Sequence, residues 1–550
     1  MGFHDHAHGD LPAHDSFNND SIVDQLNNLL ANPHLLRSWL FDAFPRDPTT
    51  STNPVTTIRV SLSTDGHKRY PTDSEQRQFP EAIIQPFALT STLGGDLHGT
   101  ASITHGEIII GDSGQFHRNI ADYDWFGRDG DIYLGPHRGI QVEFAKVAQV
   151  KTRGRRLDSN TIAIVIDDHS YVFDRPLQEN FYAGTGGLEG SITLIDKPKP
   201  ILIGKMDQIE PVQVDETNRI YQFHDGALGA ANIVGGVDDE MVALSFEADH
   251  VDIASATPGP DEFSTSLAQG VIKIGSNHPN GVITMHEVEG IVSSTYGYVD
   301  SISPITKMLA VDFAGLIDPN DIDPLAFDLL DTHTATMGWY FRTPTLTIRD
   351  AMNIFHRSAM SFAYLQPNKV LTCGRITNPD TATVDFTLDA SKDQVKLQPW
   401  SWTPYEIPVG RILIGYRYYS KTLSASDVDS SITADELEDI NSPYRWSKDE
   451  LTGDALAQND DFKTLIIETG LYNSVDADAL ATEQLAMRSV KRDTGTIASS
   501  SGLLKRKTGQ VVELVDDRLG SSPKQFVIVG VRNVAAASGT DDKVELSLYG

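Results

Sequence analysis

Several short groupings have residue types that could do chemistry. Gly111-Asp112-Ser113-Gly114 has the setting of a serine nucleophile. That chemistry needs a histidine base and an orienting carboxylate within hydrogen-bond reach. Gln115 follows where a second glycine is wanted, so a turn at a strand end is the expectation. Asp493-Thr494-Gly495 has the form of an acid-protease loop, but two carboxylates must share a proton there. Its flanks lack the hydrophobic strand-loop pattern, and a turn from helix into strand is expected. His286-Glu287 opens like a His-Glu-x-x-His zinc helix, yet Gly290 stands where the second histidine must be. Asp318-Pro-Asn-Asp-Ile-Asp323 is acidic enough for Ca²⁺ but lacks the EF-hand spacing and glycine, which favours a capped turn. Gly184-Thr-Gly-Gly and Gly235-Gly236 are not followed by the Lys-Ser/Thr of a phosphate loop and read as tight turns.

The remaining candidates are equally plain. His4, His6 and His8 follow Gly2-Phe3, a spacing that suits Cu(II) or Ni(II) once Met1 is removed. Set among Asp, Gly and Pro, they read more simply as a polar arm. Cys373 lies in an apolar strand pattern with no basic neighbour before Arg375, so a buried, inert thiol is expected. Trp400 and Trp402, two apart, share one face of a strand. They would either stack on a sugar, flanked by the acidic loop 427–461 in a depolymerising protein, or pack beneath the adjoining strand. The basic groups Lys151, Arg153, Arg155, Arg156 and Lys505, Arg506, Lys507 are placed in hairpin loops without interleaved aromatics, so base readout is not indicated. They are read as partners for acidic surfaces of neighbouring copies. No catalytic, cofactor-binding or metal-binding residue is assigned, and an enzyme is not expected.

The elements that must position these residues are mostly strands. The chain has 550 residues, with 44 basic and 76 acidic side chains and a formal charge of −32. Such a balance repels phosphate, and nucleic-acid binding would need a segregated basic face. No apolar stretch approaches the ~18 residues of a membrane-spanning helix. The start, MGFHDHAHGD, does not read as a secretory signal, and His6 breaks the myristoylation pattern after Gly2. One cysteine excludes an internal disulfide, which points to assembly in a reducing cytoplasm.

Residues 1–52 read as a His-rich arm followed by short helices. Ser21 would cap 22–31, whose Val23, Leu26, Leu29 and Leu30 share a face. Asn32 and Pro33 would start a second helix carrying Leu35, Leu36, Trp39, Leu40 and Phe44, the residues proposed to dock on another chain. Residues 53–205 form a β-rich domain of short β-branched runs that includes SITLI at 191–195. KPKP at 197–200 reads as a rigid hinge. Residues 206–330 form a second β-rich domain, and 331–425 a mixed α/β segment with a helix over 347–365 opened by Thr347 and Asp350. Residues 426–550 combine an acidic insert with a closing β-domain. Capping boxes Thr433/Glu436 and Ser447/Glu450 predict two short helices in the insert, and a longer helix is expected over 476–492.

Taken together, four segments resemble the tail-tip or baseplate hub proteins of long-tailed bacteriophages and related gene transfer agents. They are FYAGTGGLEGSITLIDKPKPILIGKM (Phe181–Met206) with the following IYQFHDG, the helix and strand pair over Thr347–Ile376, IPVGRILIGYRYYSK (Ile407–Lys421), and the helix Ala477–Arg492 leading into QVVELVDDRLG and FVIVGV. Their order covers roughly residues 55–550. The resemblance implies a mainly β (α+β) multidomain hub with two related β-barrel, tube-type domains and small α/β inserts. It implies a homotrimer whose six barrels continue the sixfold tail tube as a ring. The neighbours it implies are the distal tail protein, the tape-measure protein and tip or fibre proteins, with genomic DNA passing without specific binding. The −32 charge is expected on the wall of that ring, where carboxylates repel the DNA backbone.

Overall fold

In the computed structural model the described residues are 37–46, 58–65, 79–94, 97–104, 106–111, 120–136, 144–229, 232–276, 281–342, 346–389, 401–404, 408–451, 462–500, 506–519, 522–535 and 543–550. Strand Arg37–Ala43 lies between Val60–Ser63 and Arg128–Pro136, and the sheet continues through Ala145–Leu157, Thr161–Asp167, Glu107–Gly111 and Ile83–Gln85. Alternate residues of these strands (Trp39, Phe41, Ile132, Val150, Ile164, Ile110) face one core, as period-two patterning requires. This corrects the helix expected over Leu35–Phe44. Ser-Trp-Leu-Phe is buried on both faces: Trp39 and Phe41 enter the main core, while Leu40 packs with Phe79 and Phe144. A short run that is apolar throughout fits helix or strand equally, and sheet pairing decides it. Asp42, fully buried in that strand, is held by an ion pair with Arg59 and by the Ser61 hydroxyl.

The barrels expected from the resemblance are not found closed. The two edges of this first sheet meet at a bridge between Ser63 and Glu81 rather than by continued strand pairing. Strand Ala88–Thr92 then leaves it and pairs with Lys524–Val534, Thr92 opposite Gly530 and Ala88 opposite Val534. Ser102–Thr104 follows into the same sheet, and Gly99–Thr100 runs parallel to Ser361–Leu365. Residues 53–205 therefore feed four sheets, the fourth through Ile201–Met206. The C-terminal sheet itself runs Phe386–Asp389, Val511–Val515, Lys524–Val534, Lys543–Tyr549, Asp493–Ser500, Ser401–Pro404.

Between them lie two five-stranded sheets and a mixed centre. Ile201–Met206 pairs with Gly338–Phe341 on one side and Ile283–Glu289 on the other. Its residues alternate: Ile201 and Ile203 enter the largest core, while Leu202 and Met206 enter the core of the 234–289 sheets. Helix Ile348–Ala359 starts at a capping box formed by Thr347 and Asp350 and stops where Met360 takes a left-handed φ of 46°. The helix expected to reach 365 thus ends early, because Ser361–Leu365 is buried on every residue and pairs with Leu371–Arg375. The Thr433/Glu436 box opens helix Ala434–Ile440 as expected. Ser447/Glu450 does not open one. Arg445–Glu450 is a strand against Val409–Tyr416, and Ser447 instead donates to Asp478 on helix Ser474–Arg488. Ile192–Leu194 is a 3₁₀ turn and not a strand, and Pro198 of the expected hinge is bridged to Phe181. No helix among the described residues is long and apolar enough to cross a membrane.

Gly204 in the shared strand has φ +74°, and a Cβ there would lie 1.9 Å from the Met337 carbonyl oxygen. Gly127 has φ +69° with open space around it. Gly204→Ala is expected to cost well over 2 kcal/mol, against about 1 kcal/mol for Gly127→Ala, where only the left-handed backbone is penalised. Urea midpoints of the two variants check this, and equal midpoints contradict the close approach.

Candidate functional site

Among the described residues, a polar grouping is centred on His286, in strand Ile283–Glu289. Its Nδ1 lies 3.0 Å from Asp207 Oδ1 and its Nε2 3.0 Å from Asp238 Oδ2. Asp238 is on the neighbouring strand and Asp207 follows Met206 at the end of the shared strand. Burial alone would lower the imidazolium's pKa. The two carboxylates outweigh it through hydrogen bonds and charge, lifting the value to about 9. Asp207 feels the same competition: desolvation raises its pKa, but the hydrogen bond and charge of His286 and the charge of Arg417 hold it below the usual range. Arg417 Nη1 is 3.8 Å from Asp207, and its guanidinium and Lys205 Nζ each lie 5.0 Å from the centre of the Tyr472 ring.

The cluster is thus a clamp. It joins the 201–289 strands to Arg417, which follows Val409–Tyr416, and to Tyr472, two residues before helix Ser474–Arg488. An aromatic series runs nearby, with Trp339 stacked on Tyr418 at 4.3 Å, Tyr418 beside Tyr444 at 5.2 Å and Tyr444 beside Trp446 at 5.7 Å. His286 is the residue that the sequence singled out as a false zinc start. It holds its place on a strand with both ring nitrogens committed to carboxylates. Among the described residues, no three His, Cys, Asp or Glu side chains are grouped to hold a metal.

The other candidates are dispersed. Asp493 is the first residue of its strand and pairs with Lys524. Asp323 caps helix Pro324–Leu330, and Asp321 accepts from the Ile317 amide at 2.8 Å, so the acidic stretch is the capped turn expected. Gly184 and Gly186 take left-handed φ, as tight turns require. Trp402 packs at 5.0 Å from Phe526 in the C-terminal core, which leaves the sugar-stacking reading without an exposed ring there; Trp400 lies outside the described residues. Lys151, Arg153, Arg155 and Arg156 form part of strand Ala145–Leu157 and not a hairpin loop. Asp129, Asp167 and Glu107 of the same chain pair with Lys151, Arg153 and Arg156, so neighbouring copies are not needed to neutralise these three. Trp39 is 3% exposed and Leu40 1%, both committed to this chain's own sheet, while Phe44 lies under Arg59. Leu35, Leu36, the N-terminal histidines, Ser113 and Lys505 lie outside the described residues.

Sequence reasoning gave no role to His224, within IYQFHDG. It is buried, its Nδ1 accepts from the Leu202 amide at 3.1 Å, and burial holds its pKa down at about 4, so it is neutral. The motif is a latch on the shared strand. Its signal in the sequence is a histidine two residues beyond alternating Ile220 and Gln222.

The sequence matches no protein-family model and no curated protein. Among solved structures, the chain is similar to the tail protein from Neisseria meningitidis MC58, at 10% identity and TM-score 0.41, covering 86% of this chain and 94% of that one. It is similar to the 43 kDa tail protein of prophage MuSo2 from Shewanella oneidensis, at 8% identity and TM-score 0.38, covering 93% and 98%. A chain of the virion of a native gene transfer agent particle shows 12% identity and TM-score 0.39, covering 64% and 84%.

The clamp has a pH signature. A histidine whose pKa is about 6.5 unfolded and about 9 folded contributes stability in full below pH 6.5, and loses it as pH rises through 9. The window is therefore pH 6.5–9, with an upper bound on the order of 3 kcal/mol. His286→Gln should be less stable than the parent at pH 6, and the difference should shrink by pH 10. An unchanged difference between the two pH values contradicts the charged clamp. Burial likewise pushes the Cys373 thiol well up. Alkylation of the native chain should be at least about tenfold slower than in denaturant.

Proposed function

We propose that the chain is a structural protein of a bacteriophage tail and, within the tail, the tip or baseplate hub. The observation that carries the reading is where the four hub-like segments go. Ile201 and Ile203, helix Ile348–Ala359, strand Val409–Tyr416 and helix Ser474–Arg488 all contribute to a single core, although the first and last are separated by more than 250 residues. Segments that resemble one family in order, and that also build one core, favour a common ancestral body over four chance likenesses.

On this reading three copies assemble in the host cytoplasm, and the first and C-terminal sheets of each copy play the part of the two tube-type barrels. The assembly is a homotrimer that continues the tail tube as a ring. It sits at the virion's tail tip, against the distal tail protein and the tape-measure protein, and carries the tip or fibre proteins. Genomic DNA passes through it during ejection without specific binding. The excess of carboxylates suits a wall that must not hold phosphate; screening over about 8 Å confines the repulsion to that wall. Its role is mechanical, with no reaction to catalyse.

The mass of the purified chain at near-physiological salt tests this. Three times 60.3 kDa is expected, and a monomer at micromolar concentration would overturn the self-assembling ring. Immunogold labelling of virions should mark the distal end of the tail; label on the capsid would overturn the tail assignment itself.

A further inference from the structure

Between strand Thr161–Asp167 and the 3₁₀ turn Ser170–Asp174 the chain passes from one core to another in two residues. Ile162, Ile164 and Ile166 belong to the core of the first sheet. Phe173 belongs to the central core, which also holds helix Ile348–Ala359. Asp168 and His169 make the link, and both are buried, Asp168 to 6% exposure. A relay of hydrogen bonds spans it. Arg349, in the first turn of the helix, donates through Nε to Asp174 at 2.7 Å. Through Nη2 it donates to the Ser170 carbonyl at 2.9 Å and to the Ser170 hydroxyl at 3.2 Å. That hydroxyl in turn donates to Asp168 Oδ1 at 2.6 Å. Accepting from a guanidinium while donating to a carboxyl fixes the Ser170 rotor, so the link is tied to the helix through Asp168.

We propose that residues 168–170 form a proton-operated latch between the first sheet and the central core, closed when the Asp168 carboxyl is protonated and loosened when it ionises. The charges around Asp168 oppose one another. Asp167, next to it on the strand, repels an ionised Asp168 and is itself paired with Arg153. Arg349 attracts it from the helix but also pairs with Asp174. His169 acts on Asp129 of the first sheet. Burial dominates this balance and lifts the Asp168 pKa to about 6, with Asp167 adding to the rise and Ser170 and Arg349 opposing it. Protonated, Asp168 is neutral beside Asp167 and still accepts from Ser170. Ionised, it sets a second negative charge next to Asp167 in a site poor in water, and opening the link hydrates it. An open link returns Asp168 to the ordinary carboxylate value of 3.8. Closure is therefore favoured in full below that value and progressively lost as pH rises to about 6. The latch is a property of this joint and needs no assumption about the assembly around it.

Hydrogen exchange of the full-length chain across roughly pH 5 to 7.5, corrected for the intrinsic rate, tests the latch. Amides of residues 169–174 are expected to lose about tenfold in protection over that interval. Asp168→Asn, which stays neutral, should show no such loss. Asp167→Asn removes the neighbouring charge and should move the midpoint of the loss to lower pH, whereas His169→Gln should leave it in place. The His286 clamp is common to all of these chains, so its own titration cancels from the comparison. The same loss in Asp168→Asn as in the parent overturns the proposal, and so does a loss that disappears with His169→Gln. If Asp168→Asn does not fold, the Asp167→Asn midpoint decides, and an unmoved midpoint overturns the latch.

Discussion

At Gly204 the backbone of Met337 and Gly338 passes so close that even a methyl group has no room. That approach lets one strand, Ile201–Met206, pair on both sides while its side chains enter two cores alternately. A strand buried on both faces has no solvent edge to relax into, so its flanking elements must be fixed as well. His224 accepts a hydrogen bond from its Leu202 amide, Asp207 continues it into the charged clamp, and Gly290 is placed against the Leu202 carbonyl. The rest of the centre is arranged around this wall. Helix Ile348–Ala359 and the sheet of Val409–Tyr416 cover one face, and the sheets that carry His286 cover the other.

The clamp and the crossed strands work toward the same end by different physics. Packing in the two cores is strong but indifferent to sliding. The hydrogen bonds of His286 to two carboxylates fix register, because a one-residue shift would bury unpaired charge. The exchange of Ala88–Thr92 into the C-terminal sheet fixes the ends of the chain to each other through a ladder of backbone hydrogen bonds. A body of this kind transmits load well. It has few joints at which its sheets could separate.

Much of the local structure was legible in the residues. The strand runs of 107–111, 128–136, 145–157 and 161–167 follow from β-branched alternation, and the Thr347 and Thr433 caps from hydroxyl and carboxylate at three-residue spacing. The errors share a cause. Ser-Trp-Leu-Phe, Ser361–Leu365 and Arg445–Glu450 carry patterns that a helix could also satisfy, and each became a strand because a long-range partner was waiting. Of the candidate site, His286 was visible as a residue but not as a clamp, since Asp207 lies 79 positions away from it.

By itself, then, the sequence determined where chain direction and polarity change: caps, turns, alternating strands, a large surplus of carboxylates, and the order of the hub-like segments. These depend on neighbours within a few residues or on sums over the chain. Only the tertiary structure decided which strands share a sheet and which charges neutralise one another. Those outcomes depend on contacts between residues tens to hundreds of positions apart, where pairing geometry and burial override local preference.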